Sequence, residues 1–339
     1  MPSSATKKFI SINRLHFFDE NYDEYIGTKN RKIYIKKKEK EFCLKLPLCL
    51  YDIFSFSRYL SRLFRLDRVN ILAHGECFIL VLRQKKIFYI NLKDKTIVNT
   101  IKLNRTRNIL FDSSVNINNQ ILFGDYGINK INKIYKSNDN GMSWEIAYRF
   151  NENEFKQILK ITWDKFEEKY WVLCGDEIGE AKFVIFDKNF NKVNEFFDNS
   201  LKFRAITIYF YEDEISWITN DPYSGSKSYT MSRKTNEVKM NSSIEGSVWY
   251  STITSDGLII VATVAENIKF DNPGLVKIYS SNNFIKWKLE TTFKKDWLSK
   301  KFFRYGIASF PNGNFSSKNV YINFEAIKRH DGKVINFKY

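Results

Sequence analysis

The octet Ser137-Asn-Asp-Asn-Gly-Met-Ser-Trp144 decides the fold of this chain, and it lies in a strand-like run from Lys133 to Phe150. Asp139 can accept hydrogen bonds from backbone N–H groups of its own turn, and Gly141 can take the positive φ that a tight hairpin needs. Trp144 can then pack back over the sheet. The octet therefore predicts a stapled β-hairpin, which is a structural role.

A second, degraded copy of this pattern lies further along the chain. Ser280, Asn282, Phe284 and Trp287 stand at the four key places, with Asn replacing Asp and Phe replacing Gly. From Asp139 to Asn282 is 143 residues, which corresponds to three units of roughly 48 residues, the length of a four-stranded propeller blade. The two copies indicate a repeat of antiparallel sheets.

Strand-like runs bounded by Gly, Asn and Asp recur at a similar spacing and favour the same repeat. They start near Ile71, Asn108, Ile158, Phe203, Val248 and Tyr305, and an earlier one spans Phe9 to Leu48. The aromatic content of 17% suits strands that pack sheet against sheet. We predict an all-β fold: a single β-propeller domain over residues 1–339, with four-stranded blades, seven in number, or six as the alternative.

A second periodic signal consists of apolar runs that end in an acidic residue. These acids are Asp125, Asp176, Asp221, Glu266 and Glu325, at steps of 51, 45, 45 and 59 residues. If each run is the second strand of its blade, all five acids reach the face opposite the octet hairpins. The alternative for each acid is a turn carboxylate that binds local N–H groups.

Basic and aromatic residues precede the first strands of several blades and belong to the same predicted face. They are Arg105, Arg107, Arg204, Trp249, Arg304 and Tyr305. Arginines distributed around a pocket could hold a carboxylate by bidentate hydrogen bonds. The alternative is that they are surface residues of a basic protein.

The net charge of +16 comes mostly from lysines scattered through Lys- and Asn-rich turns, so it suits an acidic carbohydrate or lipid surface. We expect no nucleic-acid binding, because no compact RNA- or DNA-binding motif accompanies the charge. No phosphate-binding glycine loop, HExxH motif or zinc spacing occurs, so neither a cofactor nor a metal is predicted. Without an apolar leader or a long apolar run, the expected location is the cytoplasm.

Residues 51–69 do not follow the blade pattern and predict a helical or loop insertion. Apolar residues recur there at near-helical spacing, and four arginines lie between them. One interpretation is a basic amphipathic helix that contacts an anionic membrane from the cytoplasm. The other, which we favour, is an insertion packed on the edge of a blade, or a strand with a long loop.

The intact octet resembles the Asp-box of sialidases and related β-propellers. The resemblance implies an arginine triad that holds the substrate carboxylate, a Tyr–Glu pair as nucleophile and an Asp as acid/base. The matching candidates are Arg105 or Arg107 with Arg204 and Arg304 for the triad, Tyr126 or Tyr305 for the phenol, and the five phased acids for the carboxylates. The chain departs from the family in that no Arg-Ile-Pro motif precedes the first box.

The chain is more closely similar to BNR-repeat, glycosyl-hydrolase-like proteins found with surface-polysaccharide genes. Phe123-Gly-Asp-Tyr126, the octet and Leu173-Cys-Gly-Asp176 carry this resemblance, which spans about Lys32 to Glu325. These proteins have no single established reaction to carry over. The sialidase resemblance, together with the phased acids and arginines, implies a sialidase-like enzyme, an exo-acting glycoside hydrolase that hydrolyses or processes an acidic sugar of a surface polysaccharide. The alternative is a non-catalytic propeller that binds carbohydrate or scaffolds partner proteins, and the missing motif favours it. The oligomeric state is not predicted.

Overall fold

The computed structural model of the protein describes residues 12–103, 113–117, 119–126, 131–266 and 274–339. These residues form seven antiparallel sheets that follow one another along the chain, and the fold is an all-β propeller with seven blades. Six sheets have four strands, and the seventh has three in the described part of the chain. The prediction of seven blades is confirmed.

The strands are numbered in chain order. The first sheet contains β1 (Arg14–Asp19), β2 (Glu24–Lys29), β3 (Lys32–Lys37) and β4 (Lys40–Lys45); the second β5 (Val69–His74), β6 (Phe78–Arg83), β7 (Lys86–Asn91) and β8 (Ile97–Lys102); the third β9 (Val115–Ile117), β10 (Gln120–Gly124), β11 (Lys133–Ser137) and β12 (Glu145–Arg149). The fourth contains β13 (Ile158–Asp164), β14 (Lys169–Cys174), β15 (Lys182–Phe186) and β16 (Lys192–Phe197); the fifth β17 (Ala205–Phe210), β18 (Glu214–Thr219), β19 (Ser226–Ser232) and β20 (Val238–Ile244). The sixth contains β21 (Ser247–Ile253), β22 (Ile259–Val264), β23 (Leu275–Ser281) and β24 (Lys288–Lys294); the seventh β25 (Ile307–Ser309), β26 (Val320–Glu325) and β27 (Val334–Phe337).

The sequence explains the order of burial within a sheet. Every residue of the second strands β6, β22 and β26 is buried, and their sequences are nearly continuous runs of apolar residues. The fourth strands β8, β16 and β20 are mostly exposed or half-buried and rich in polar residues. A strand covered on both faces needs such a run, whereas an outer strand does not. The predicted blade starts agree with these strands, except that Asn108, and Phe9 at the start of the earliest predicted run, lie outside the described residues.

The 51–69 insertion is helical but short. A 3₁₀ helix covers Leu50–Phe56, and helix α1 covers Arg58–Leu63. Helix α2 (Lys300–Phe303) precedes β25, and a further 3₁₀ turn covers Ser317–Asn319. Within the described ranges, no helix combines the length and the apolar character that crossing a bilayer requires.

The chain separates into two compact units. One contains the residues up to Arg68 together with Asp221–Ser228 and Met240–Tyr339, and the other contains Val69–Asn220 and Tyr229–Lys239. The first unit has an apolar core built from β1, β22, β23 and β26. The second has two such clusters, one around Phe123 and Leu80 and one around Phe186 and Tyr170. Each unit therefore has its own hydrophobic core.

Candidate functional site

The octet forms the hairpin between β11 and β12 and is held by its own side chains. The Ser137 Oγ accepts from the N–H of Gly141 at 2.7 Å, and Asp139 Oδ1 accepts from the N–H of Ser143 at 2.9 Å. Burial alone would raise the pKa of Asp139, but hydrogen bonds from Ser143 and then Ser137 outweigh it and lower the pKa to about 2. The Trp144 ring meets Phe123 edge to face at 5.0 Å. These contacts are those of a structural staple.

The degraded box uses neighbouring residues rather than those predicted from its spacing. Asn283 Oδ1 accepts from the N–H groups of Ile285 and Lys286, and Ser281 Oγ accepts from the Asn283 N–H. Ser280 instead donates to Glu290 at 2.6 Å. Trp287 follows Asn283 by four positions, whereas Trp144 follows Asp139 by five. The alignment of Ser280 and Asn282 with the box was therefore wrong by one residue.

The phased acids lie where the sequence predicts, at the ends of second strands. Asp125, Asp176, Asp221 and Glu266 follow β10, β14, β18 and β22 by one or two residues, and Glu325 ends β26. Two of the acids bind in their own turns. Asp125 accepts from the N–H of Lys133 at 3.1 Å, and Asp221 accepts from the N–H groups of Tyr223 and Ser224 at 2.8 and 3.0 Å.

Asp176 forms an ion pair with the predicted arginine Arg204. Arg204 Nη2 lies 2.6 Å from Asp176 Oδ1, and Lys156 Nζ lies 2.8 Å from the other oxygen. The second guanidinium nitrogen of Arg204 donates to the carbonyl of Asn220. Burial alone would raise the pKa of Asp176, but the Lys156 hydrogen bond and the Arg204 charge lower it. This carboxylate is therefore ionised and held by two cations.

Glu325 and Arg304 form the centre of a buried ion cluster in the first unit. Arg304 donates to Glu325 through one guanidinium nitrogen and to Asp67 at 2.8 Å through the other. Arg14 reaches Glu325 at 2.6 Å, because Leu15 and Asn323 tie β1 to β26 by two hydrogen bonds. Burial alone would raise the pKa of Glu325, but the charges of Arg304 and Arg14 outweigh it and hold it well below its usual range.

These pairings bear on the acid/base chemistry that the sialidase resemblance implies. A glycosidase needs a carboxyl group that is protonated near neutral pH and can donate its proton to the leaving group. Asp176 and Glu325 both have lowered pKa values. Arg204 and Arg304 are engaged by carboxylates of this chain. Neither pair therefore has the electrostatics of an acid catalyst or of an open carboxylate clamp.

Three other predicted residues come together at the end of β22. The N–H of Ala265 donates to the carbonyl of Gly306 at 3.0 Å, so the residues next to them, Glu266 and Tyr305, are neighbours. Burial, and then the charge of Glu266, raise the pKa of the Tyr305 phenol. Trp249 meets the Tyr305 ring edge to face at 5.9 Å. Its indole N–H has no hydrogen-bond partner among the residues that the structure describes.

A cavity of about 470 Å³ opens beside this group, and we call it the basic cavity. Its lining includes Glu266, Trp297 and the lysines Lys294, Lys300 and Lys328, together with Lys295, which pairs with Asp296. Trp297 is 86% exposed. Sequence reasoning missed Trp297 and the lysines, although the run Lys294-Lys-Asp-Trp-Leu-Ser-Lys-Lys301 combines an aromatic residue with four bases. That run is the signal that could have indicated the cavity.

The remaining predicted residues are placed as follows. Arg105 and Arg107 lie outside the described residues. Tyr126 is half-buried and directly follows Asp125 in the second unit. Among the described residues, no three His, Cys, Asp or Glu side chains cluster as a metal site would require. The predicted residues thus fall into local groups within each unit. One of these groups, with Glu266, lies at the basic cavity.

Comparison with known proteins identifies the fold and no family. No protein-family model and no curated protein matches the chain. Among solved structures, it is similar to a quinonprotein alcohol dehydrogenase-like protein of Bacteroides thetaiotaomicron, with a TM-score of 0.51 and 16% identity. The match covers 82% of this chain and 65% of that protein. It is also similar to a chain of the mitotic checkpoint complex (TM-score 0.57, 8% identity, 100% of this chain and 93% of that one). A third similar structure is PorZ, a surface component of the type-IX secretion system of Porphyromonas gingivalis (TM-score 0.51, 11% identity, 92% and 35%).

Proposed function

We propose that the chain is a carbohydrate-binding propeller that holds an acidic sugar in the basic cavity without cleaving it. The observation that carries the proposal is the exposed Trp297 ring beside three lysines in a cavity of about 470 Å³. An indole face can pack on the C–H face of a sugar ring, and ammonium groups attract a sugar carboxylate. Glu266 can accept hydrogen bonds from sugar hydroxyls.

The absence of cleavage is proposed from the electrostatics of the candidate catalytic groups. Asp176 and Glu325 are held ionised, which opposes a role as proton donor at neutral pH. The carboxylates that pair with Arg204 and Arg304 compete with any ligand for these arginines. A binding role requires only the cavity, whereas hydrolysis by Asp176 or Glu325 would require these pairs to separate.

A sialidase-like hydrolase is the second candidate, and one observation favours it. Glu266 lies close enough to Tyr305 to act on the phenol electrostatically, and a Tyr–Glu pair is what the Asp-box resemblance implies for the nucleophile. The direction of the effect opposes this role, because the raised pKa makes the phenolate harder to form. Release of free sugar from an acidic glycan conjugate would favour the hydrolase over the binding module.

We expect Trp297→Ala to weaken binding of an acidic oligosaccharide about tenfold or more, since aromatic anchors dominate such contacts. Isothermal titration with a sialylated and a uronic-acid oligosaccharide would measure this, and Lys328→Gln should weaken binding less and reduce its salt dependence. Tyr22→Ala is the matched control, because Tyr22 is a similarly exposed aromatic residue that does not line the cavity. Equal binding by Trp297→Ala and the unaltered protein would contradict the proposal, as would no binding of either sugar.

A further inference from the structure

The insertion exposes its apolar side chains to solvent. Among residues 48–64, the exposed large apolar side chains are Leu48, Leu50, Tyr51, Ile53, Phe56, Tyr59, Leu63 and Phe64. Leu50 is 80% exposed and Phe56 is 83% exposed. Tyr51 and Phe54 each stack on the Phe64 ring, at 5.5 and 4.8 Å, so three of the aromatic side chains form one cluster. Such a patch marks an interaction surface.

The polar side chains of the same segment point inward, the reverse of an ordinary surface helix. Arg62 is 1% exposed; it pairs with Asp296 and Asp331 and donates to the carbonyl of Phe303. Arg58 pairs with Asp331 at 2.9 Å. These ion pairs anchor the insertion to the rest of the first unit. Folding therefore does not account for the outward position of the apolar side chains, which are left for a partner.

Arg62 also joins the insertion to a second exposed segment, residues 297–302. Asp296 and Phe303, which Arg62 binds, flank this segment on either side, and α1 and α2 are neighbours. The segment exposes Trp297 and Phe302 together with Lys300 and Lys301. We call the two segments together, residues 48–64 and 297–302, the docking surface.

The exposed charged side chains of the docking surface have one sign. Residues 44–67 contain two carboxylates, Asp52 and Asp67; both are buried, and Asp67 pairs with Arg58 and Arg304. Lys45, Arg65 and the two lysines of the second segment are exposed. If two copies of this chain associated through this face, the lysines and arginines of one would lie against those of the other. The repulsion between these like charges opposes self-association.

We propose that the docking surface binds a lipid bilayer with anionic headgroups. Apolar and aromatic side chains that project beside Lys and Arg, with no exposed carboxylate among them, match the interface of a bilayer, where acyl chains lie beneath a negative surface. Leu50, Ile53 and Phe56 enter the boundary between headgroups and acyl chains. Lys300 and Lys301 lie at the lipid phosphates. If the protein does not bind vesicles in the following test, the docking surface is instead a site for a protein partner.

Vesicle sedimentation tests the proposal with the whole chain. The unaltered protein is expected to sediment with vesicles of phosphatidylcholine plus phosphatidylserine, and much less with phosphatidylcholine alone or at high salt. Leu50→Ser with Phe56→Ser should lower the partition coefficient about tenfold or more, since each change removes a large apolar group from the bilayer. Lys45→Gln with Lys301→Gln should reduce the preference for the anionic vesicles, since both lysines are exposed and neither lines the basic cavity.

Ile285→Ser is the matched control, because Ile285 is an exposed apolar residue outside the docking surface. Binding of the acidic oligosaccharide by the Leu50→Ser, Phe56→Ser variant should stay unchanged, since neither residue lines the basic cavity. Failure of this proposal is thereby distinguished from failure of the proposed carbohydrate site. Two results would overturn the bilayer proposal. One is that the unaltered protein stays in the supernatant with both vesicle types, and the other is that the double Ser variant sediments with the anionic vesicles as strongly as the unaltered protein.

Discussion

Replacing Glu325 with Gln is expected to lower the free energy of unfolding by about 3–5 kcal/mol, the usual result of removing one partner from a buried ion pair. Glu325 accepts from Arg304 and Arg14, and it is itself buried. The amide leaves the Arg304 charge buried with Asp67 as its remaining carboxylate partner, and it turns an NH₂ group toward two donors. The backbone and the volume stay almost unchanged, so the loss isolates the charge.

Urea denaturation followed by tryptophan fluorescence would measure this loss. Glu168→Gln is the control, because Glu168 forms its ion pair with Lys188 in an exposed position. An exposed pair contributes about 0–1 kcal/mol, so this variant should unfold close to the unaltered protein. A Glu325→Gln variant as stable as the control would show that the buried cluster contributes little to the stability of the first unit.

The same cluster predicts how stability depends on pH. Glu325 has a folded-state pKa below its unfolded value of about 4.3. A carboxyl group with a lowered pKa contributes stability that is present above the unfolded pKa and is lost as the pH falls toward the folded one. Asp67 shifts in the same direction, because the charges of Arg304 and Arg58 outweigh its burial. Stability should therefore fall below about pH 4–5, and less steeply in the Glu325→Gln variant.

The positions of the phased acids could be predicted from sequence, as could the turn N–H partners of Asp125 and Asp221, but the arginine partners of Asp176 and Glu325 could not. Each acid ends an apolar run, and a run buried on both faces must be an inner strand that stops where polar residues begin. The partners of Arg304 come from β26 and from Asp67 in the insertion, 237 residues away in the chain. No local pattern contains that pairing, because it depends on how distant segments pack.

The insertion shows a different limit of sequence reasoning. Its near-helical spacing predicted that one face is apolar and one basic, and two short helical segments are present. The pattern does not say which face is covered, and the plain expectation is that apolar side chains are buried. Here Arg62 is buried and Phe56 is exposed, because Asp296 and Asp331 provide partners for the guanidinium. The location of these carboxylates decides the orientation.

The Asp-box glycine was assigned from sequence to a positive φ, and the structure adds a second constraint on it. Gly141 has φ of 91°, and a Cβ there would overlap the side chain of Leu80, which is fully buried in a core cluster of the second unit. Gly179 has nearly the same φ, 86°, with nothing within 4 Å of an added Cβ. The two glycines therefore separate backbone strain from close packing.

Gly141→Ala is expected to destabilise the second unit by about 2–5 kcal/mol, the sum of left-handed strain of about 1–2 kcal/mol and overpacking of about 1–3 kcal/mol. Gly179→Ala should show the strain alone, and thermal unfolding monitored by circular dichroism would compare the two. Leu80→Ala removes the atoms that the new Cβ meets, so adding it to Gly141→Ala should cost less than the sum of the single changes. Additive losses, or equal losses at the two glycines, would mean that the hairpin shifts away from Leu80 at little cost. The box would then act through its own turn hydrogen bonds, without locking the hairpin onto the neighbouring core.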